Sequence, residues 1–167
     1  KSVLPIYIYD NDLASKDKLG AASRWWLNHS LKSLNTSLNG KLSVYRGNSI
    51  DVLTDIIKNN DVKTIYWNRC YEPWRIDRDT KLKYHLRNLG LKVESTNGSL
   101  LWEPWTIRKD DGTPYKVFTP FYRKGCMQAQ APRKPIPVPK CANYVHDKKN
   151  SLCIQDLELL PNSQWGT

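Results

Sequence analysis

Hydrophobic and polar positions follow two different spacings along the N-terminal part of the chain. Four short runs are rich in Val, Ile, Tyr or Leu and are bounded by Asp, Asn or Gly, which is typical of buried strands. The predicted strands are Val3–Tyr9, Leu42–Tyr45, Val62–Trp67 and Leu91–Glu94.

Three longer stretches separate these strands and predict helices. In Leu19–Asn39, four leucines recur with helical spacing and define one face: Leu27, Leu31, Leu34 and Leu38. The second helix begins at Asn48 or Ser49, either of which can cap it. The third, Pro73–Asn88, begins with a proline, which suits a first helical turn.

The elements alternate in the order strand, helix, strand, helix, strand, helix, strand. Each helical stretch is long enough to connect two parallel strands, and such crossovers are right-handed. The pattern therefore predicts an α/β layer sandwich with a parallel sheet.

This alternation ends after the last predicted strand. Lys109–Pro114 reads as a turn, and Val117 with Phe118 is predicted to end a strand that Pro120 breaks. A short apolar repeat closes the chain in Leu152–Leu160. Before it, a proline-rich stretch predicts an extended, polyproline-like segment, either a linker or a strap over the domain: Pro132, Pro135, Pro137 and Pro139.

The first predicted helix contains two adjacent tryptophans in the sequence ASRWWLNHSL. Trp26 lies within about 100° of Leu27 around the helix axis, beside the leucine face. Burying a tryptophan contributes roughly 2–3 kcal/mol, so we expect Trp26 to pack in the core. Arg24 and Trp25 are then expected nearer a loop or the domain surface.

Composition allows a single domain with an ordinary core. The chain has 167 residues, of which 40% are hydrophobic and 25% charged. Its longest apolar run, Val3–Tyr9, is too short to span a membrane. The start at Lys1 shows no signal peptide and reads as that of a fragment or a processed product. The net charge of +10 favours anionic partners, nucleic acid first, and a solvated basic surface explains it equally well.

The cysteines and histidines do not predict a metal or catalytic site. The four cysteines are Cys70, Cys126, Cys141 and Cys153. Because they lack the CxxC or Cys/His spacing of a metal site, we expect them to be reduced thiols in a cytoplasmic protein. The histidines are His29, His85 and His146, and no sequence signal pairs any of them with a nucleophile. GxGxxG, P-loop and GxSxG motifs are absent. Chemistry confined to this chain is not predicted.

Polar residues follow the predicted strands, where open α/β sheets bind their ligands. Tyr9-Asp10 lies at the end of the first strand, Asn68-Arg69 at the end of the third and Asn97 after the fourth. Ordinary solvated loops explain the same residues equally well.

Four segments resemble the N-terminal α/β domain of DNA photolyases and cryptochromes. They are LGAASRWWLNHSLKSL (Leu19–Leu34), IYWNRCYEPWRIDRD (Ile65–Asp79), LLWEPWTI (Leu100–Ile107) and YKVFTPFYR (Tyr115–Arg123). Their order and spacing match over about Val3 to Arg123. Leu157–Pro161 with Trp165 resembles the segment that leads out of this domain.

The resemblance implies a Rossmann-like domain that binds a light-harvesting antenna. In the family, the antenna excites FAD held by a separate C-terminal helical domain, which packs on this one. The reduced flavin donates an electron to a pyrimidine dimer flipped out of DNA, and the dimer splits. A photolyase, a carbon–carbon lyase, is the first expectation, with damaged DNA as its partner. A cryptochrome photoreceptor is the second.

Two family features are absent from the sequence, a first strand of the form FRxDLRxxDN and the FAD domain. We therefore expect an antenna domain at 1–126, an interdomain linker at 127–167, and no activity from this chain alone. The sheet would close up or be filled by another segment, and exposed interdomain or sheet surface would allow self-association.

The antenna implied by the resemblance is methenyltetrahydrofolate or a deazaflavin or flavin. Where folate-binding members carry Asn-Glu, this chain carries Trp74-Arg75, so those folate contacts do not carry over. A deazaflavin or flavin would favour Tyr9, Asp10, Asn68 and Asn97. The full set of expected antenna-binding residues is Tyr9, Asp10, Asn68, Arg69, Glu72, Trp74, Arg75 and Asn97. A nucleotide-binding domain of the universal-stress or electron-transfer-flavoprotein kind is the alternative from another class.

Overall fold

The structure, a computed structural model, describes residues 2–10, 19–139 and 142–160. Cys141, Pro161 and Trp165, which the sequence singled out, lie outside these residues. The chain divides into two compact units. The first unit comprises Lys1–Val62 with Pro139–Thr167, and the second comprises Lys63–Val138.

The strands of the first unit pair in parallel. The first predicted strand is interrupted at Leu4-Pro5, because Pro5 has no N–H for a ladder hydrogen bond. Its two parts are β1 (Ser2–Val3) and β2 (Ile6–Tyr9). Strand β1 pairs with β6 (Asn143–Tyr144), and β2 pairs with β3 (Ser43–Arg46).

Both predicted helices of the first unit are present. Helix α1 spans Ala21–Ser37 and is followed by Asn39 and Gly40, both with positive φ, as the predicted stop requires. Helix α2 spans Ser49–Asn59. Of its two candidate caps, Asn48 is the one used, since its side chain accepts a 2.9 Å hydrogen bond from the Ile50 N–H.

The core of the first unit combines α1, β3 and the C-terminal segment. Its buried side chains are Leu31, Leu42, Val44, Ile154, Leu157 and Leu159. Ile154–Leu157 forms a 3-10 helix. The expected linker at 127–167 thus contributes core residues, and its boundary at 126 stays a prediction.

The prediction that Trp26 packs in the core is wrong. Its side chain is 70% exposed, whereas Leu31 is 3% exposed. At about 100° per residue, Trp26 lies about 140° around the helix from Leu31, which centres the buried face. Leu34, at one margin of that face, is also exposed. Trp25 is partly buried and lies 4.3 Å from the ring centroid of His29.

The second unit contains a parallel strand–helix–strand unit. Strands β4 (Thr64–Asn68) and β5 (Lys92–Thr96) pair in parallel and are connected by α3 (Pro73–Asn88), whose bounds are as predicted. Leu82 and Leu86 of α3 are buried, as is Val93 of β5. This arrangement confirms parallel pairing for the last two predicted strands.

The strand expected to end at Val117 and Phe118 is not formed. Phe118–Pro120 is a short helix, α4, which continues as a π-helix over Phe121–Cys126. Pro120 lies in the first turn, where a helix tolerates the missing N–H. The proline-rich residues up to 139 form no helix or strand, in line with the extended segment predicted there.

Candidate functional site

The strand register of the second unit brings polar residues to one edge. Asn68 at the end of β4 pairs with Thr96 at the end of β5, and the Arg69 N–H extends the pairing with a 2.8 Å hydrogen bond to the Thr96 carbonyl. Because the strands are parallel, the loops that follow them leave from the same edge. These loops contribute to two clusters. They are the Arg69–Glu103 cluster (Arg69, Tyr71, Glu103, Trp105) and the Trp74 cluster (Glu72, Trp74, Arg75, Arg78).

The Arg69–Glu103 cluster is held by hydrogen bonds. The Arg69 guanidinium donates to the Ser95 carbonyl and forms an ion pair with Glu103 Oε1. The Tyr71 hydroxyl donates a 2.7 Å hydrogen bond to Glu103 Oε2. The guanidinium carbon of Arg69 also lies 5.7 Å from the ring centroid of Trp105. Both Glu103 oxygens are therefore engaged, while Arg69 Nε is buried with no acceptor among the described residues.

The same contacts fix the protonation states in this cluster. The hydrogen bond to Glu103 raises the pKa of Arg69 above its usual value. Burial, and then the hydrogen bond to Glu103, raise the pKa of Tyr71. Near neutral pH, Arg69 thus stays a cation and Tyr71 a protonated donor.

The Trp74 cluster places cations against an indole in the first turn of α3. The guanidinium carbons of Arg75 and Arg78 lie 4.9 Å and 5.7 Å from the Trp74 ring centroid. A 3.3 Å hydrogen bond from Arg75 Nη1 to Cys70 Sγ raises the pKa of Arg75. Glu72 lies 3.8 Å from Arg75 Nε, and its pKa is lowered by its backbone N–H and by this cation. The cluster keeps its positive charge near neutral pH.

Asn68 and Asn97 have different surroundings at the same edge. The Thr96 hydroxyl donates a 3.0 Å hydrogen bond to Asn68 Oδ1. Asn97 stabilises its own turn, since its Oδ1 accepts from the N–H groups of Ser99 and Leu100. Asn68 is exposed and open to a ligand, whereas the Asn97 amide is committed to the loop.

Tyr9 and Asp10 belong to the first unit. The Tyr9 carbonyl accepts a 3.0 Å hydrogen bond from the Gly47 N–H, and the Tyr9 side chain packs partly buried against the first unit's core. The other six expected residues all lie in the second unit. Within it, the structure brings Glu72, Trp74 and Arg75 into one cluster and places Arg69 in the other.

Sequence reasoning missed several residues at this edge. Tyr71, Glu103 and Trp105 complete the cluster around Arg69, and Arg78 completes the one around Trp74. All four stand inside the quoted segments IYWNRCYEPWRIDRD and LLWEPWTI. Tyr71 and Glu103 are 32 positions apart, so only the folded chain shows that they meet.

The described part of the chain contains candidate metal ligands of the His, Cys, Asp and Glu types. None of its His, Cys, Asp or Glu residues form a group of three or more that could hold a metal ion. Cys70, Cys126 and Cys153 are free thiols. No helix among the described residues is both long enough and apolar enough to cross a membrane.

Comparison with models of known protein families shows which family the chain belongs to. A family model described as DNA photolyase matches residues 1–140. The chain belongs to the DNA photolyase family. The resemblance of the quoted segments to the N-terminal α/β domain of photolyases and cryptochromes is thereby confirmed.

Named relatives fall into both branches of this family. A deoxyribodipyrimidine photo-lyase from Agrobacterium fabrum is 38% identical over 170 residues, which cover 98% of this chain and 34% of the relative. Cryptochrome-2 from Arabidopsis thaliana is 32% identical over 142 residues, covering 83% of this chain and 23% of the relative. The chain thus spans about a third of the photo-lyase that it matches.

Solved photolyases have the same fold. A bacterial class III photolyase from Agrobacterium tumefaciens superposes with a TM-score of 0.79 at 33% identity, covering 98% of this chain and 34% of that one. An archaeal photolyase from Sulfolobus tokodaii has a TM-score of 0.75 at 21% identity, covering 94% and 35%. The second likeness concerns the fold alone. Together with the parallel pairs β2–β3 and β4–β5, these superpositions confirm a Rossmann-like α/β fold class.

Proposed function

We propose that this chain is the antenna-chromophore-binding domain of a photolyase that repairs pyrimidine dimers in DNA. The observation that supports this proposal is the 38% identity to the Agrobacterium fabrum photo-lyase across 98% of the chain. Repair is the cleavage of carbon–carbon bonds in the dimer, and in this proposal the whole protein, not this chain alone, carries it out. FAD bound outside this chain supplies the electron, and damaged DNA is the substrate.

The Arg69–Glu103 cluster has features that suit a planar chromophore. Trp105 is 55% exposed, so part of its indole surface is free for stacking. The Arg69 guanidinium is held by the Ser95 carbonyl and Glu103, so it presents a positive charge at a defined place beside Trp105. In this proposal, Arg69 orients the chromophore and Trp105 supplies apolar contact.

The Trp74 cluster supplies positive charge at the same edge. Arg75 carries a guanidinium group that binds carboxylates or phosphates in a fixed fork geometry, whereas Arg78 is already paired with Asp79. The glutamyl carboxylates of methenyltetrahydrofolate and the phosphate of a flavin or deazaflavin both meet this requirement. Asn68, exposed at the end of β4, is available for a further hydrogen bond.

Chromophore binding is tested by titrating the chain separately with methenyltetrahydrofolate, FMN, FAD and 8-hydroxy-5-deazaflavin. Binding is read from the absorbance of the chromophore and from quenching of tryptophan fluorescence. We expect one of the four to bind, and Arg69→Gln and Trp105→Leu to weaken that binding by about tenfold each. Absence of binding by all four would remove the antenna function from this chain.

A matched control is provided by the other unit. Trp26→Leu removes an indole that is 70% exposed on α1, so it should leave chromophore affinity unchanged. A loss with Trp26→Leu equal to that with Trp105→Leu would contradict the assignment of the chromophore to the Arg69–Glu103 cluster.

A cryptochrome photoreceptor is the second candidate, favoured by the 32% identity to Arabidopsis thaliana Cryptochrome-2. The two candidates differ in repair. The protein expressed from its complete reading frame is mixed with an oligonucleotide carrying a thymine dimer and irradiated with blue light. Light-dependent loss of the dimer supports the photolyase, and a flavin-loaded protein that leaves the dimer intact supports the cryptochrome.

We also propose that the FAD-binding part of the protein packs against α4 and the π-helix that follows it. The rings of Phe118 and Tyr122 are stacked with centroids 5.9 Å apart and are largely exposed. Val117 beside them is 63% exposed. Exposed apolar surface of this kind marks an interaction site. Self-association of the chain through this surface stays a prediction.

A cytoplasmic location of the protein also stays a prediction.

A further inference from the structure

A cavity of about 510 Å³, half open to solvent, lies within the first unit, between α1 and the C-terminal segment. Arg24, Asn28 and Lys32 line it from α1. These residues are spaced four apart, so they stand above one another on one face of the helix. Gln155 and Glu158 line it from the 3-10 helix and the residue that follows that helix. Its volume is in the range of about 300–1,000 Å³ that small-molecule sites occupy.

The cavity contains a polar group without a partner. Asn28 is 2% exposed, and its Nδ2 has no hydrogen-bond acceptor among the described residues. Buried amide groups are almost always hydrogen-bonded, because an unmet donor loses its hydration without compensation. Because Nδ2 itself has almost no accessible surface, an acceptor oxygen in the cavity satisfies this donor when the amide turns toward it.

Positive charge surrounds the unmet donor. Arg24 and Lys32 lie one helical turn before and after Asn28, and neither forms an ion pair with an acidic residue in the described ranges. Arg24 Nη1 donates a 3.1 Å hydrogen bond to the Leu19 carbonyl, which leaves the rest of its guanidinium available. The cavity thus presents donors from two cations and an amide.

The acidic residue of the lining faces a different cation. Glu158 forms an ion pair of 3.8 Å with Arg46, and its side chain is 83% exposed. Its backbone adopts the left-handed conformation, with φ 53°, at the end of the 3-10 helix. The ion pair that Glu158 forms is therefore with Arg46, and not with Arg24 or Lys32.

Apolar side chains complete the lining. Leu159 is 2% exposed and Leu160 is 47% exposed, so Leu160 offers apolar surface to an occupant. A bare inorganic ion would leave this surface and most of the volume unused. The lining matches a molecule with an anionic group at one end and an apolar or aromatic body at the other.

We propose that this cavity binds a small organic anion of about mononucleotide size. Its phosphate or carboxylate group accepts from Asn28 Nδ2 and lies between Arg24 and Lys32, while its body contacts Leu160. The site lies within the first unit and is built from residues other than those assigned to the antenna.

The proposal is tested by calorimetric titration of the chain with AMP, citrate and adenosine at low salt. AMP and citrate supply phosphate and carboxylate groups, respectively, and adenosine is the uncharged control for AMP. We expect at least one of the two anions to bind, with affinity that falls as salt is added. Adenosine should bind at least about tenfold more weakly than AMP where AMP is the ligand.

Variants locate the site. Asn28→Leu removes the unmet donor at similar volume, and Lys32→Gln removes an exposed cation without touching the core; each should weaken binding by about tenfold. Lys58→Gln removes the same charge from α2 of the same unit and should have no effect. Lys32→Gln keeps the test decisive if Asn28→Leu does not fold.

Three results would overturn the proposal. They are no binding of either anion at millimolar concentration, adenosine binding as tightly as AMP where AMP binds, and equal affinity in Lys32→Gln and Lys58→Gln. A flavin antenna also carries a phosphate, so AMP or citrate could bind at the antenna site instead of in this cavity. The Arg69→Gln variant, which alters the antenna site, distinguishes the two sites. It should leave AMP and citrate binding unchanged, so failure of this site and failure of the antenna proposal are distinguishable.

Discussion

The indole N–H of Trp67 on β4 donates a 3.0 Å hydrogen bond to Oδ2 of Asp79 on α3. Asp79 is 7% exposed, and Arg78 pairs with its other oxygen at 2.7 Å. On the same helix, Lys83 lies with its ammonium 5.7 Å from the Trp67 ring centroid. Strand β4, which ends at the sheet edge that carries Asn68 and Arg69, is thus joined to α3 by a partly buried hydrogen bond.

Replacement of Asp79 should destabilise the fold. Asp79→Ala leaves the Trp67 N–H without its acceptor in a partly buried position, and we expect a loss of about 1–3 kcal/mol in the free energy of unfolding. Urea unfolding followed by tryptophan fluorescence measures it. Asp77→Ala on the same helix removes only a solvent-exposed pair with Lys81 and should change stability by about 0.5 kcal/mol or less. Equal losses in the two variants would contradict this account.

The cap of α2 offers a second stability test. Asn48→Ala removes the side-chain acceptor of the Ile50 N–H, and we expect the free energy of unfolding to fall by about 1 kcal/mol. Asn48→Asp keeps an acceptor at the same place and should retain most of the stability. Thermal or urea unfolding distinguishes them. The cap has no role if Asn48→Asp and Asn48→Ala unfold alike.

In the first unit, buried Tyr45 pairs with partly buried Asp147, and this pair predicts a pH dependence. The Tyr45 hydroxyl donates a 2.9 Å hydrogen bond to Asp147 Oδ2. Burial, and then this carboxylate, raise the pKa of Tyr45 above its usual value. Since the unfolded tyrosine ionises near about pH 10 while the folded one stays protonated, the stabilisation is present below about pH 10 and is lost above it.

Tyr45→Phe removes this pair. We expect the variant to be about 1 kcal/mol less stable at neutral pH, because one net hydrogen bond is lost. The difference between the wild type and the variant should narrow above about pH 10, by up to about 1.4 kcal/mol per pH unit. Urea unfolding of both proteins from about pH 8 to about pH 11 measures it. A difference that stays constant over this range would contradict the linkage.

Local signals made the order of elements predictable. Pro73 begins α3, and the helix ends at Asn88 just before Gly90, whose φ is 80°. Asn48 and Gly40 marked helix boundaries in the same way. Each of these residues acts through the conformation or hydrogen bonds of its own segment, which sequence periodicity and capping rules describe.

Properties that depend on neighbouring segments were not predictable in this way. Helical spacing placed Trp26 beside the leucine face, but β3 and the 3-10 helix pack on the side centred on Leu31. Phe118 has strand propensity, yet it begins the short helix α4, which continues as a π-helix. The contact between Tyr71 and Glu103 joins two loops, and no periodicity encodes it.

Gly98 provides a test of the sheet edge at which β4 and β5 end. A Cβ at this position would lie 2.3 Å from Cγ and Nδ2 of Asn68, so Gly98→Ala forces the Asn68 side chain to rotate away from the Thr96 hydroxyl. Because Asn68 is exposed and can move, we expect a loss of about 1 kcal/mol, at the low end for overpacking. Chromophore affinity should fall with it if Asn68 contacts the antenna.

A double-mutant cycle isolates this clash. Asn68→Ala removes the side chain that the new methyl group would meet, so Gly98→Ala should cost little when it is added to Asn68→Ala. Urea unfolding of the wild type, the two single variants and the double variant gives the coupling energy, which we expect to be about 1 kcal/mol. Additive effects of the two substitutions would show that Gly98 is required for its own backbone and not for the room that it leaves to Asn68.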